Sequence, residues 1–131
     1  MVVYAFDEQR GLEELESVLR EILGEKLLFR GFTDVREVLN ACRYRPYDVL
    51  FANVEIQNRS GMHLLSQMFC NDPYTNYIGT ASSASESNAL LLHRIHAGGY
   101  LIQPYDAEKL AETLRFLRYP VKEKNAIQNQ T

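Results

Sequence analysis

Five short apolar runs alternate with five amphipathic ones along this chain, and that alternation restricts the fold more than any other feature. The apolar runs cover residues 2–6, 26–31, 49–52, 77–81 and 100–102. They are near-continuously apolar rather than alternating, the pattern of strands covered on both faces. After the first, Leu12, Leu15, Val18, Leu19, Ile22 and Leu23 recur at helical spacing, with Glu13, Glu16 and Arg20 opposite and Gly24 as a stop. Thr33 is the expected N-cap of a second helix that turns Val35, Val38, Leu39 and Cys42 inward. A loop running to Gly61 precedes a third helix carrying Leu64, Leu65, Met68 and Phe69, which Asp72-Pro73 breaks. The serine-rich segment 82–87 opens a fourth helix to about residue 97, with Leu90, Leu91 and Ile95 inward and Gly98-Gly99 as its end. Asp106 caps a fifth, with Leu110, Leu114 and Leu117 inward, and Pro120 closes it.

Strands joined by helices run parallel, with right-handed crossovers and helices on both faces. The expected fold is therefore α/β, a five-stranded parallel doubly wound (βα)5 sandwich in one domain over residues 1–119. Residues 120–131 are polar and aperiodic, and are expected to be a disordered tail or linker stub.

Composition narrows the function. The net charge of -3 argues against direct contact with nucleic acid, which calls for a basic patch. Cys42 and Cys70 form no CxxC pattern and read as reduced core thiols of a cytoplasmic protein. No leader is legible in "MVVYAF", and no run nears the roughly 18 apolar residues of a membrane span. No phosphate-cradling glycine motif is present, so a nucleotide-binding enzyme has little support.

In a doubly wound sheet the site lies beyond the carboxyl ends of the strands, where the strand order switches. The first strand delivers Asp7 and Glu8 there. The third delivers Asn53, followed by Glu55. The fourth delivers Thr80, Ala81 and Ser82, and the fifth delivers Gln103 and Pro104.

This ordered set resembles the receiver domain of two-component response regulators over about residues 1–118, which implies a flavodoxin-like receiver fold. The resemblance matches Asp7 and Glu8 to an acidic pair and Asn53 to the phospho-accepting Asp. It matches Gly61 to a Gly eight residues later, Thr80-Ala81 to a Thr/Ser and small residue, Tyr100 to a switch aromatic, and Gln103-Pro104 to a Lys-Pro pair. The phrases "GFTDVREVLNACRYRPYDVLFANVEI" and "GGYLIQPYDAEKL" look most like receivers attached to LytTR-type DNA-binding domains. That likeness implies a role in transcriptional control.

Three positions depart from the pattern: Asn53 for Asp, Gln103 for Lys and Gln57 for Pro. Acyl phosphate forms when a carboxylate attacks phosphorus, and the Asn53 amide is too poor a nucleophile to do so. Gln103 keeps hydrogen-bond donors but supplies no charge. The joint change is coherent, because a neutral Asn-Gln pair can satisfy itself by hydrogen bonding. It also favours natural divergence over an engineered Asn53. No cofactor is required on this reading. Asp7 and Glu8 with the Asn53 carbonyl could hold Mg²⁺ weakly, or be solvated acids near a helix amino end.

The expectation is a receiver-like regulatory domain, not an enzyme, acting by protein contact or by homodimerisation. The contact face would be the fourth helix, fifth strand and fifth helix, about residues 88–118. A histidine kinase and a fused DNA-binding domain are the implied partners, in a stand-alone regulator or a piece of a longer one. Two alternatives belong to other classes: phosphotransfer to Glu55, Asp7 or Glu8, and a small-ligand sensor using the acidic pocket. His63, His93 and His96 are expected on the surface. Tyr100 is expected half-buried or in a partner contact, and the serines of segment 82–87 in a capped turn.

Overall fold

A computed structural model of the chain describes residues 1–121. The elements alternate as β1 (Val2–Phe6), α1 (Gln9–Leu23), β2 (Leu28–Phe32), α2 (Val35–Tyr44), β3 (Val49–Asn53), α3 (Ile56–Asn71), β4 (Asn76–Ala81), α4 (Glu86–Arg94), β5 (Gly99–Ile102) and α5 (Ala107–Arg115). The strands form one parallel sheet in the order β2-β1-β3-β4-β5. The expected sandwich is thus the observed one, and its strand order switches between β1 and β3.

The period of two along each strand divides the core. Tyr4, Phe6, Leu50 and Ala52 face one way, where they pack with Val38, Leu64, Leu65 and Leu92 of α2, α3 and α4. Val3, Ala5, Val49 and Phe51 face the other way, toward Leu12, Leu15, Leu19, Leu110 and Leu114 of α1 and α5. All five residues of β3 are buried, which places its carboxyl tip at the centre of the sheet edge.

Several boundaries differ from the expectation. Residues 24–26 form a short 3₁₀ turn, so β2 begins at Leu28 and extends to Phe32. The cap of α2 is Asp34, whose carboxylate accepts from the Arg36 N–H at 2.8 Å, rather than Thr33. α4 stops at Arg94 because His96 takes φ +56°, a conformation that ends a helix before Gly98-Gly99 is reached. Its buried residues are Asn88 and Leu92, while Leu90 is exposed. Cys70 is exposed rather than a core filler, and Cys42 is partly buried.

The largest difference lies after β3. Gln57, Asn58 and Arg59 have φ of 50°, 56° and 65°, a left-handed turn built from three consecutive non-glycine residues. Each such residue costs about 1 kcal/mol. Right-handed helix resumes beyond it, so Gly61 lies inside α3 rather than at the end of a loop. Gly61 is required by close approach: a Cβ there would sit 1.8 Å from the Asn53 carbonyl oxygen. Of the expected tail 120–131, residues 122–131 lie outside the described residues. Among those residues no helix is long and apolar enough to cross a membrane.

Candidate functional site

Asp7 follows β1 and is 4% exposed, so its carboxylate has been drawn out of water. The structure corrects the solvated reading for Asp7 and retains it for Glu8, which is exposed. Three neutral donors surround the Asp7 carboxylate. The Glu8 N–H donates to Oδ1 at 2.7 Å and Asn53 Nδ2 to the same oxygen at 3.0 Å. Gln103 Nε2 donates to Oδ2 at 3.2 Å. Gly11 permits this arrangement, since a Cβ at that position would collide with the Asp7 carboxylate.

Asn53 and Gln103 therefore do not pair with each other, as the sequence suggested. Both turn their amide N–H groups onto Asp7, because a buried carboxylate is the stronger acceptor and the more costly group to leave unsatisfied. Asn53 is itself 5% exposed, and its other end is engaged: Oδ1 accepts from the Glu55 N–H at 2.9 Å. Burial pushes the Asp7 carboxyl above the ordinary carboxylate range. The three donated hydrogen bonds pull it back, and the neighbouring Glu8 charge adds a smaller upward push.

Sequence reasoning missed Tyr105. Its hydroxyl accepts from Gln103 Nε2 at 3.1 Å, and burial raises its pKa against hydrogen bonds from Gln103 and Thr80. The residue lies one position past the expected set, and only its aromatic character could have marked it. Thr80 is buried and opposite Asn53 in register, so the fourth strand delivers it where expected. Pro104 follows Gln103 at the edge of the same cleft, which has a volume of about 390 Å³ and is also lined by Glu8, Arg10, Glu55 and Ser82.

Glu55 lies to one side of this carboxylate-amide network. It reaches across to the β4–α4 loop, where its carboxylate accepts from the Ser82 and Ser83 N–H groups at 3.0 and 3.2 Å. A divalent ion here would have to compete with existing bonds, because both Asp7 oxygens accept hydrogen bonds and the Asn53 oxygen accepts from a backbone donor. No cluster of three or more metal-ligating side chains occurs among the described residues. His63, His93 and His96 are all exposed, as expected. Tyr100 is partly buried, and its hydroxyl donates to the Ser83 carbonyl at 3.3 Å.

No family model matches the chain. An uncharacterized response regulatory protein of Vibrio cholerae is 29% identical over 111 residues, which is 85% of this chain and 45% of that protein. The chain thus spans less than half the length of this relative. Among solved structures, the signal receiver domain of an HD domain-containing protein from Pseudomonas fluorescens Pf-5 superposes with a TM-score of 0.75 at 18% identity, covering 87% of this chain and 90% of that one. The response regulatory domain of protein mrkE from Klebsiella pneumoniae gives 0.75 at 18%, covering 89% and 94%. A CheY-like response regulator receiver domain protein from Methanospirillum hungatei gives 0.73 at 18%, covering 98% and 96%. These structures establish the fold: the chain has the flavodoxin-like architecture of response regulator receiver domains.

Proposed function

We propose that this chain is a receiver-type signalling domain that works by protein contact and takes no phosphoryl group on Asn53. The observation that carries this reading is the state of the Asn53 side chain. It is a buried neutral amide whose nitrogen donates to Asp7 and whose oxygen accepts from the Glu55 N–H. It offers no nucleophilic carboxylate, and the charge that a Lys would bring is replaced by a Gln103 amide spent on Asp7.

On this reading the domain has no catalytic chemistry and needs no cofactor. Its output is a contact surface on α4, β5 and α5, where Leu90 and Phe116 are exposed at 53% and 73%. A protein partner or a second copy of the chain would engage that face, and the domain itself would not touch DNA. The likeness to a longer response regulatory protein supports a role as the regulatory part of a larger signalling protein. The specific form, transcriptional control through a LytTR-type domain, draws its support from the two sequence phrases alone.

Incubation with acetyl phosphate and Mg²⁺, followed by intact-mass measurement and peptide mapping, tests the proposal. The expected result is an unchanged mass. A stoichiometric phosphoryl adduct on Asp7, Glu8 or Glu55 would overturn it in favour of phosphotransfer through an unusual acceptor.

A further inference from the structure

The left-handed turn at the start of α3 is held against both of its neighbours by its own side chains. Gln57 Nε2 donates to the Thr33 carbonyl at 3.1 Å, and the Arg59 guanidinium donates to the Asn88 Oδ1 of α4 at 2.7 Å. Asn88 is 5% exposed, so this second bond ends inside the protein. Both donors stand on the left-handed turn, whose unfavourable backbone persists because these anchors over-determine it.

Glu55, two residues before the turn, makes the third and most extensive connection. Its Oε1 accepts from the N–H groups of Ser82 and Ser83, and its Oε2 accepts from the Ser82 hydroxyl at 3.2 Å. Two successive backbone N–H groups converging on one oxygen form an anion-binding concavity. Here the chain fills it with its own carboxylate. The carbonyl of Ser83, on the other side of the same residue, accepts the Tyr100 hydroxyl from β5. One residue of the β4–α4 loop therefore joins Glu55 to Tyr100.

We infer that Glu55 is a positioning residue that serves as a built-in anion. It fixes the β4–α4 loop and, through Ser83, the orientation of Tyr100, so the α4–β5–α5 face is held in one conformation with no external ligand. The inference rests on the reading of that face as the output surface, and it adds what sets its conformation. The Asp7-centred network meets Glu55 at its backbone, where the Glu55 N–H donates to Asn53 Oδ1, so a change confined to the Glu55 side chain leaves that network's hydrogen bonds in place.

The test is amide hydrogen exchange and side-chain NMR of the native chain, Glu55→Ala and Glu55→Gln. Glu55→Ala removes all three bonds. The expected result is exchange at Ser82 and Ser83 about tenfold faster or more, together with shifted Tyr100 ring resonances. The Glu8 amide, which donates to Asp7, should keep its native exchange rate. Glu55→Gln keeps the shape and one carbonyl acceptor, and should give an intermediate acceleration. Unchanged exchange at Ser82 and Ser83 in both variants would overturn the inference. So would faster exchange with unmoved Tyr100 resonances, because the relay would then be absent. A variant that failed to fold would lose protection at Glu8 as well, and the Glu55→Gln result would then decide. Failure here leaves the native chain still unable to take phosphate, whereas a phosphoryl adduct on the native chain would defeat the functional reading whatever Glu55 does.

Discussion

Replacing Asn53 by Asp should destabilise this protein in a way that reveals how its site is balanced. The native amide nitrogen stands 3.0 Å from the Asp7 Oδ1. A carboxylate oxygen in its place would set two like charges at about that separation. At an effective dielectric constant of about 20 their repulsion is about 5 kcal/mol, and the lost hydrogen bond adds about 1. The pair will relieve part of this by sharing a proton, so the net loss at pH 7 should be about 2–4 kcal/mol. Proton sharing raises the folded pKa of the pair above its unfolded value. The penalty is therefore present at neutral pH and shrinks as pH falls through that raised pKa. Urea unfolding at pH 7 and in the acid range measures it. Adding Gln103→Lys places a cation where Nε2 now lies 3.2 Å from Oδ2, and should restore much of the loss. An Asn53→Asp variant as stable as the native chain at pH 7 would refute the claim that the site is built around a single carboxylate.

Three other outcomes follow from the same geometry. Asp7→Asn should remove the fall in native stability that accompanies rising pH through the raised Asp7 pKa, because an amide does not titrate; thermal unfolding against pH follows it, and an unchanged pH slope would contradict the burial. Gly61→Ala should lose about 3 kcal/mol or more, because its Cβ meets backbone at Asn53 and neither side can yield; near-native stability in urea would contradict the close approach. Tyr77, whose pKa burial pushes up to about 12, donates to the Asp72 carbonyl at 2.6 Å. Its share of stability should persist to about pH 10 and fall away toward 12, and Tyr77→Phe should flatten that alkaline loss in a pH series of unfolding midpoints.

The fold was largely legible because its elements are short and strongly patterned. Leu12, Leu15 and Leu19 announce one helical face, and the unbroken apolar run of β3 announces a central strand. The same logic puts Asp7, Asn53, Thr80 and Gln103 at one edge of the sheet. What stayed hidden were choices between nearly equal local options. Thr33 and Asp34 are both good caps, and only tertiary geometry selects Asp34. The left-handed turn at Gln57, Asn58 and Arg59 has no glycine to signal it, and it is held by Gln57 and Arg59 bonds to distant residues. Pairing within the site was misread for a related reason. An Asn and a Gln look self-sufficient until a buried carboxylate lies between them. Tyr105 was missed because nothing in its spacing distinguishes it from an ordinary aromatic.

The central claim is that the strand tips close into a neutral network around Asp7 that has no place for a phosphoryl group. Beryllofluoride with Mg²⁺ tests it most directly, since that group mimics a phosphoryl group on a carboxylate oxygen. The measurement is the amide NMR spectrum of the native chain and of the Asn53→Asp, Gln103→Lys double variant, before and after addition. The account expects no movement at Asn53, Thr80 or Gln103 in the native chain and movement at all three positions in the variant. Shifts at those positions in the native chain would contradict it.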